Sequence, residues 1–377
     1  MELPADISDR EIQLESASER WSDAIPDARR RPLRLWLWSV AAMTFGVLVV
    51  GGITRLTLSG LSIVDWKPLM GIIPPLTHDD WLRVFELYQQ FPDYQSRNEM
   101  TLSHFQFIYF WEYLHRLLAR TIGLVFLIPF VLFWVRGWFT RPLLKRALLL
   151  FAFGGMQGVM GWLMVMSGLV DRPSVSHYRL AAHLSLAFLI FGYAVWIARE
   201  LRARTTAQLA TDERRLMVRG LAIVGSVLAV QVVWGAFVAG LRAGKYYPTF
   251  PLMGGRLIPS DLLWLENTWQ NFVANPIAVQ WVHRVVGTIL LASIIGLFVL
   301  VQKRVRDPLS RKYNHCLLLL IGVQYGLGIA TLVMMVPVSL GVIHQATAMI
   351  LFGVWLSWLQ HATRTPVRAL VPQPQHA

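Results

Sequence analysis

Residues 112–123 read EYLHRLLARTIG, and residues 280–291 read QWVHRVVGTILL. Each stretch places a His-Arg pair inside an apolar run, where polar side chains are costly and usually functional. The first copy has a carboxylate, Glu112, three residues before the histidine, and the second has the neutral Gln280 at that position. The two stretches predict a membrane protein built from a repeat, with a chemical difference between its halves.

The composition predicts an all-α integral membrane protein. Hydrophobic residues make up 55% of the 377 residues, above the roughly 45–50% of soluble domains. Eight runs are long enough to cross about 30 Å of hydrocarbon as helices, and no strand-like alternation competes with them. The predicted spans are 35–54, 105–135, 147–170, 174–198, 220–241, 276–301, 316–336 and 338–359.

The distribution of the 35 Lys and Arg residues predicts how these spans are oriented. The N-terminal segment and every second connection hold 23 of them, the opposite connections hold nine, and three lie within helices. Because positive residues accumulate on the cytoplasmic side, both termini are predicted to be cytoplasmic. Topology therefore explains the net charge of +13, and no nucleic-acid binding is expected.

The N-terminal segment differs from the rest of the chain. Its first 28 residues hold eight acidic residues and two arginines and have no apolar core. Residues 1–32 are therefore predicted to form a disordered cytoplasmic arm. Mitochondrial presequences are poor in acidic residues, so a bacterial inner membrane is predicted. Cys316 is the only cysteine, which excludes an intramolecular disulfide.

Helices one to four can be superposed on helices five to eight. GGITRLTLSG (51–60) matches WGAFVAGLRAG (234–244), and QGVMG (157–161) matches QYGLG (324–328). An even number of spans per half gives both halves the same orientation, related by an axis along the membrane normal.

The repeat predicts the domain organisation. We expect two pseudo-symmetric four-helix bundles, at 33–198 and 220–360. A cytoplasmic linker, 199–219, joins them, and a cytoplasmic tail, 361–377, follows the second bundle.

Four of the ten histidines lie well inside apolar helices at matching positions: His115, His183, His283 and His344. At 1.5 Å per residue they lie about 10–15 Å below the outer surface. An isolated histidine of this kind is usually a hydrogen-bonded packing residue. Two pairs at one depth instead favour bis-histidine haem sites in the bundle cores. Zinc or copper would need clustered ligands or thiolates that the sequence lacks.

Three arginines accompany these histidines. Arg116 and Arg284 directly follow predicted ligands, and Arg120 lies one helical turn after Arg116. A guanidinium offers two parallel donors to a carboxylate where water is scarce. These arginines are therefore candidates for binding haem propionates, which would direct the haems toward the outer, periplasmic side. The alternative is that they extend along the helix to the outer surface.

Glu112 shares a helix face with His115. Its structural alternative is to pair with Arg116 or Arg120. Because the second half has no matching carboxylate, we interpret Glu112 as a catalytic residue. The N-terminal haem would then be acted upon, and the C-terminal haem would be a permanent electron carrier.

These residues resemble the haem A synthase family over essentially all of residues 33–360. The specific motifs are GGITRLTLSGLSIVDWKP, EYLHR, GLRAGKYYPTFPLMGG, VHRVVG and IHQATA. The resemblance implies oxidation of the C8 methyl group of haem O to the formyl group of haem A. It implies substrate haem O at His115 and His183 with Glu112 essential. It also implies haem B at His283 and His344, with electrons leaving through the protein.

The resemblance further implies a branch and partners. The chain is similar to the alphaproteobacterial and mitochondrial branch, because the paired loop cysteines of some bacterial relatives are missing. Haem O synthase and cytochrome oxidase assembly factors are the expected partners. The sequence does not identify the electron acceptor. Small residues in GGMQGVMG (154–161) favour close helix contacts, which would permit a homo-oligomer.

Two other classes of protein stay open at this point. A bis-histidine di-haem cytochrome b that only carries electrons would explain four histidines and the repeat, but it gives no reason for Glu112. A transporter built on repeats leaves the histidine pairs unexplained.

Overall fold

The computed structural model describes residues 21–64, 73–95, 99–169, 175–202 and 208–367. Parts of three predicted segments lie outside the described residues: 1–20 of the arm, 203–207 of the linker and 368–377 of the tail.

Eight helices of the described chain are long and apolar enough to cross a membrane, which confirms the predicted all-α, eight-span class. They are α1 (Asp27–Leu56), α4 (Leu102–Val135), α5 (Arg141–Leu169), α6 (His177–Glu200), α7 (Thr211–Gly240), α9 (Pro276–Arg304), α10 (Pro308–Val333) and α11 (Val338–Arg364). The cytoplasmic position of both termini and the pseudo-symmetry of the halves stay predictions.

Shorter helices lie in the connections at one end of the bundle. We call this the outer end, and it is the end at which α1 and α7 finish. The short helices are α2 (His78–Gln89), α3 (Pro92–Gln95), a 3₁₀ turn (Ala243–Lys245) and α8 (Thr268–Ala274).

Several long helices begin earlier than hydropathy predicts. Helix α1 begins at Asp27, inside the predicted arm, and α7 begins at Thr211, inside the predicted linker. Helix α10 begins at Pro308, where the side chain of Asp307 accepts a hydrogen bond from the Ser310 N–H at 2.7 Å. Hydropathy detects the apolar part of a helix only, and these helices continue into basic segments beyond it.

The last residues of the predicted arm pack on the bundle at the end opposite the outer end. Ile25 is 1% exposed, and the Trp21 indole donates to the buried Glu200 carboxylate at 2.9 Å. The same carboxylate pairs with Arg364 at 2.7 Å. A buried carboxylate needs such partners, so this contact fixes residues 21–26 against α6 and α11. The described part of the arm is therefore ordered, contrary to the prediction.

Contacts between the halves run through four helices. Helix α1 packs on α4 and α6, and α7 packs on α9. Helix α11 contacts α1 and α6, and α6 also contacts α7. These four helices, α1, α6, α7 and α11, separate the two sites described below.

One close approach inside the C-terminal half predicts a measurable loss of stability. A Cβ atom on Gly225 of α7 would overlap the Trp355 ring, which is held by its hydrogen bond to the Leu221 carbonyl at 2.9 Å. Gly225→Ala is expected to destabilise the protein by about 1–3 kcal/mol through overpacking. Thermal unfolding in detergent measures this. Gly296→Ala is the matched control, because a Cβ atom there would have no neighbour within 4 Å beyond the adjacent backbone of its own helix. Equal midpoints for both variants would contradict the prediction.

Candidate functional site

His283 and His344 line one cavity of about 340 Å³ between the two halves, the C-terminal cavity. They lie on α9 and α11 and are close enough to interact electrostatically. The lining is largely apolar and includes Leu184 and Phe188 from α6 of the other half. Its volume lies within the range of small-molecule sites. The structure thus brings the predicted C-terminal ligand pair together.

His115 and His183 form the second predicted pair, in the N-terminal half. His115 lies on α4 and His183 on α6, and the two side chains also interact electrostatically.

Each of the four imidazoles lies against a glycine of a neighbouring helix. A Cβ placed on Gly51 would be 2.7 Å from the His115 ring, and one placed on Gly161 would be 3.5 Å from the His183 ring. For both Gly235 against His283 and Gly328 against His344 the distance is 3.1 Å. A larger residue at Gly51 would force the His115 ring to shift, and one at Gly235 or Gly328 would press on the ring of His283 or His344.

Glutamine amides contact three of the rings, a feature that sequence reasoning missed. Gln157 lies 3.3 Å from His183, Gln231 lies 3.3 Å from His283, and Gln324 lies 3.3 Å from His344, measured from amide nitrogen to imidazole Nε2. The sequence signal was the matching QGVMG and QYGLG segments, which were used only to align the repeat. A ring nitrogen that accepts a hydrogen bond carries the lone pair that can instead ligate a metal.

Nδ1 of every ring is buried and makes no hydrogen bond of good geometry with the described residues. Backbone carbonyls of Val47, Gln231 and Gln324 nevertheless lie near the rings of His115, His283 and His344 and suit an Nδ1–H donor. The Nε2 atoms are then the nitrogens available to a metal. A haem iron held between two imidazoles fits this donor set and the apolar C-terminal cavity. Within the described ranges no group of three or more His, Cys, Asp or Glu residues is placed to hold a metal ion.

Glu112 is 2% exposed and has three partners in the described chain. Oε1 accepts from Arg116 at 2.5 Å. Oε2 accepts from the Ser62 hydroxyl at 2.7 Å and from the Ile63 N–H at 2.8 Å. The structural alternative considered from sequence, pairing with Arg116, is therefore present. The carboxylate also fastens the segment after α1 to the outer part of α4.

The neutral counterpart in the C-terminal half performs a similar attachment. The Gln280 amide donates to the Tyr247 carbonyl at 3.2 Å, and Arg284 donates to the same carbonyl at 2.7 Å. Arg116 likewise donates to the Ile63 carbonyl at 2.9 Å. Both halves therefore attach an outer segment to the helix that carries the His-Arg pair, but the C-terminal half does so without a carboxylate.

A second polar contact steadies this segment in the C-terminal half. The Tyr247 hydroxyl donates to both carboxylate oxygens of Asp261, at 2.9 and 3.0 Å. This hydrogen bond raises the pKa of Tyr247, with burial adding to the effect.

The three candidate arginines occupy two different places. Arg284 lines the C-terminal cavity beside His283. Arg116 and Arg120 line a separate cavity of about 350 Å³ next to α2, together with Arg83. The binding of propionates by these arginines stays a prediction. The structure adds that Arg116 and Arg284 donate hydrogen bonds to backbone carbonyls of the outer segments.

The fold and these side chains define a class: an eight-span membrane protein that holds one pair of half-buried histidines within the helices of each half. The family model described as Cytochrome oxidase assembly protein matches residues 34–356. The chain is 44% identical to "Heme A synthase" of Parvibaculum lavamentivorans over 329 residues, 87% of this chain and 93% of that protein. It is 45% identical to "Heme A synthase" of Agrobacterium fabrum over 326 residues, 86% and 88% of the two chains. The chain belongs to the haem A synthase family.

The similarity extends to relatives from other genera. "Heme A synthase" of Nitrosospira multiformis is 44% identical over 341 residues, covering 89% of this chain and 95% of that protein. The family model, which matches residues 34–356, reaches all eight long helices, so the similarity concerns the membrane-spanning part and not one motif. The resemblance found from the motifs is confirmed.

Proposed function

We propose that the protein is an oxidoreductase that converts haem O into haem A. The observation that carries the proposal is the presence of two pairs of half-buried histidines with a buried carboxylate, Glu112, on the helix of only one pair, three residues before His115. The family membership supports it, because relatives that span the whole membrane part are named for this activity. The protein acts as a multi-pass membrane protein, and we place it in a bacterial inner membrane with both sites toward the periplasm.

The reaction is a four-electron oxidation of one methyl group. Two successive hydroxylations use two water molecules and give a gem-diol, which loses one water to form the aldehyde. The net change is a methyl group plus one water giving a formyl group, four protons and four electrons. The chain must therefore position water at the methyl carbon and provide an exit for electrons.

The two histidine pairs divide this work. His115 and His183 would hold the iron of the substrate haem O, and His283 and His344 would hold the iron of a resident haem B. Haem B, when bound, supplies an acceptor for single electrons, which pass on to an acceptor outside the chain. The flanking glycines keep each imidazole at its position.

The arrangement of α1 and α6 supports electron transfer between the sites. Gly51 contacts His115, and the next residue, Gly52, lines the C-terminal cavity. On α6, His183 belongs to the N-terminal pair, and the next residue, Leu184, lines the C-terminal cavity. At these two points one helix borders both sites, since adjacent residues that point about 100° apart face different sites.

The comparison of Glu112 with Gln280 supports a chemical role for the carboxylate. Attachment of the outer segment needs no carboxylate on the helix, since the Gln280 amide and the Arg284 guanidinium achieve it in the C-terminal half. A buried charge is costly, and it persists where function requires it. We therefore assign the charge of Glu112 to the reaction. It either stabilises positive charge that develops at the oxidised carbon or activates the attacking water.

Haem analysis tests the proposed function. The purified protein is expected to contain haem B with traces of haem O or haem A, and cells that lack the protein should accumulate haem O. Haem B in both sites would indicate a di-haem cytochrome b instead. A protein without haem would overturn both interpretations.

We also propose partners from the chemistry. Haem O must come from an enzyme that attaches its hydrophobic tail, so haem O synthase is the expected supplier. Cytochrome oxidase assembly factors are the expected recipients of haem A. The small residues of the 154–161 segment are available for contact with a second copy, because Gly154, Gly155 and Gly158 have no neighbour within 4 Å of a Cβ position among the atoms compared.

A further inference from the structure

The C-terminal cavity carries an excess of positive charge. Its lining includes four basic residues, Arg55, Arg242, Lys245 and Arg284, and no Asp or Glu is among the described lining residues. Arg242 and Lys245 are exposed, but Arg55 and Arg284 are half-buried, and cations grouped where water is scarce are unfavourable unless an anion neutralises them. The ligand of this cavity is therefore expected to carry negative charge at the outer end.

One of these cations comes from the other half of the molecule. Arg55 lies in the last turn of α1, in the N-terminal half. Its Nη2 donates to the Ala239 and Gly240 carbonyls at the end of α7, each at 2.9 Å. The side chain thereby crosses the boundary between the halves and enters the lining of the C-terminal cavity.

Two donors in this cavity are unused. Nε of Arg55 and Nε of Arg284 are both buried and have no hydrogen-bond partner among the described residues. The other donors of Arg284 are directed at the Thr249 and Tyr247 carbonyls, at 2.8 and 2.7 Å. Buried donors of charged groups are almost always satisfied, so two acceptors are expected from the ligand.

The repeat has no counterpart of Arg55 in the C-terminal half, so only the N-terminal half supplies an arginine to the site of the other half. When the segment 51–60 is matched to the segment after residue 234, so that Gly51 corresponds to Gly235, Arg55 corresponds to Ala239. The C-terminal half has no arginine at the equivalent position to reach into the N-terminal site. The sequence alone indicated no site role for Arg55, which is one of the nine basic residues of the outer connections.

We propose that Arg55 binds one propionate of the haem in the C-terminal cavity while Arg284 binds the other, so that the N-terminal half completes the cofactor site of the C-terminal half. The inference rests on the proposed function, which places haem B at His283 and His344. Two carboxylates on one edge of the ligand match the two unused Nε–H donors in number and charge. The haem edge with the propionates then faces the outer end, where Arg55 lies in the last turn of α1.

Arg55 is a positioning residue, and its charge also affects the haem. A nearby cation favours the reduced state, which carries one positive charge less than the oxidised state. Loss of a hydrogen bond to a charged group commonly costs enough to weaken binding about ten- to a hundredfold. Arg55→Gln is therefore expected to lower the affinity for haem B by this factor and to lower the midpoint potential of the haem that remains bound.

The test compares the full-length wild type with Arg55→Gln and Arg55→Lys in detergent. The measurements are haem B affinity, the midpoint potential of the loaded fraction, and the affinity for haem dimethyl ester, whose propionates carry no charge. Wild type should prefer haem over the ester, and Arg55→Gln should lose about tenfold or more of that preference. Arg55→Lys keeps the charge and should retain a potential closer to that of the wild type.

Arg179→Gln is the matched control, because Arg179 also ties two helices together by donating to the Leu163 carbonyl, and it does not line the C-terminal cavity. If Arg55 only joined α1 to α7, Arg55→Gln would behave like this control, with an unchanged potential and an unchanged preference for haem over its ester. That result would overturn the role of Arg55 alone. Unchanged haem B binding in His283→Ala would overturn the proposed haem site itself, so the two failures are distinguishable.

Discussion

Replacing either histidine of the C-terminal pair, His283 or His344, by alanine is expected to abolish the low-spin haem B spectrum of the purified protein. In the proposed function both imidazoles would be needed to hold the iron, and the largely apolar cavity offers no replacement of comparable strength. Replacing His115 or His183 is expected to leave that spectrum intact and to stop haem A formation. Absorption spectroscopy of the purified variants and haem extraction from the membranes measure both outcomes.

A control variant separates ligand loss from general damage. His315→Ala removes a histidine whose Nδ1 lies 2.7 Å from the Arg311 carbonyl, on the surface of α10. It should keep both the spectrum and haem A formation. If the His115 or His183 variants lose haem B and the His283 or His344 variants keep it, the halves are assigned the wrong way round.

Much of the fold could be predicted from local patterns. Eight apolar runs fix eight helices, because a backbone in hydrocarbon must satisfy its own hydrogen bonds. The two histidine pairs were found because a polar residue at matched positions in apolar helices is rare. The structure places the members of each pair within electrostatic range of each other.

The contacts that complete the sites could not be predicted in the same way. Arg55 and Gln231 belong to helices far from His283 in sequence, and only packing brings all three to one cavity. The partners of Glu112 in the segment at Ser62 and Ile63 also depend on how the chain folds back after α1. Periodicity locates a residue on its own helix but does not identify its partner on another.

The predicted ends of the helices were less accurate than their membrane-spanning parts, and the reason is physical. Apolar content falls where a span leaves the hydrocarbon, but the backbone remains helical as long as caps and contacts support it. Residues 211–219 hold five charged residues and are nevertheless helical. Hydropathy therefore gave the membrane part of α7 and missed its first turns.

Glu112→Gln is expected to lower haem A formation by about 10²–10³, with haem B retained and haem O or its hydroxylated intermediate accumulating. The exchange removes one negative charge and changes the volume little, and it makes the N-terminal half resemble the C-terminal half, where Gln280 stands. Haem extraction and quantification in membranes of cells that depend on the variant measure the effect.

Ser62→Ala distinguishes the charge of Glu112 from its structural contacts. This variant removes the 2.7 Å hydrogen bond to Oε2 but leaves the carboxylate charged. If Glu112 serves only to hold Arg116 and the segment after α1, both variants should lose stability or total haem, and the folded fraction of each should still form haem A. If the charge acts on the substrate, Ser62→Ala should keep most activity, and Glu112→Gln should fold and bind haem B but form little haem A. Normal haem A output from Glu112→Gln would refute the catalytic role, and the carboxylate would then be a structural residue that the C-terminal half replaces with an amide.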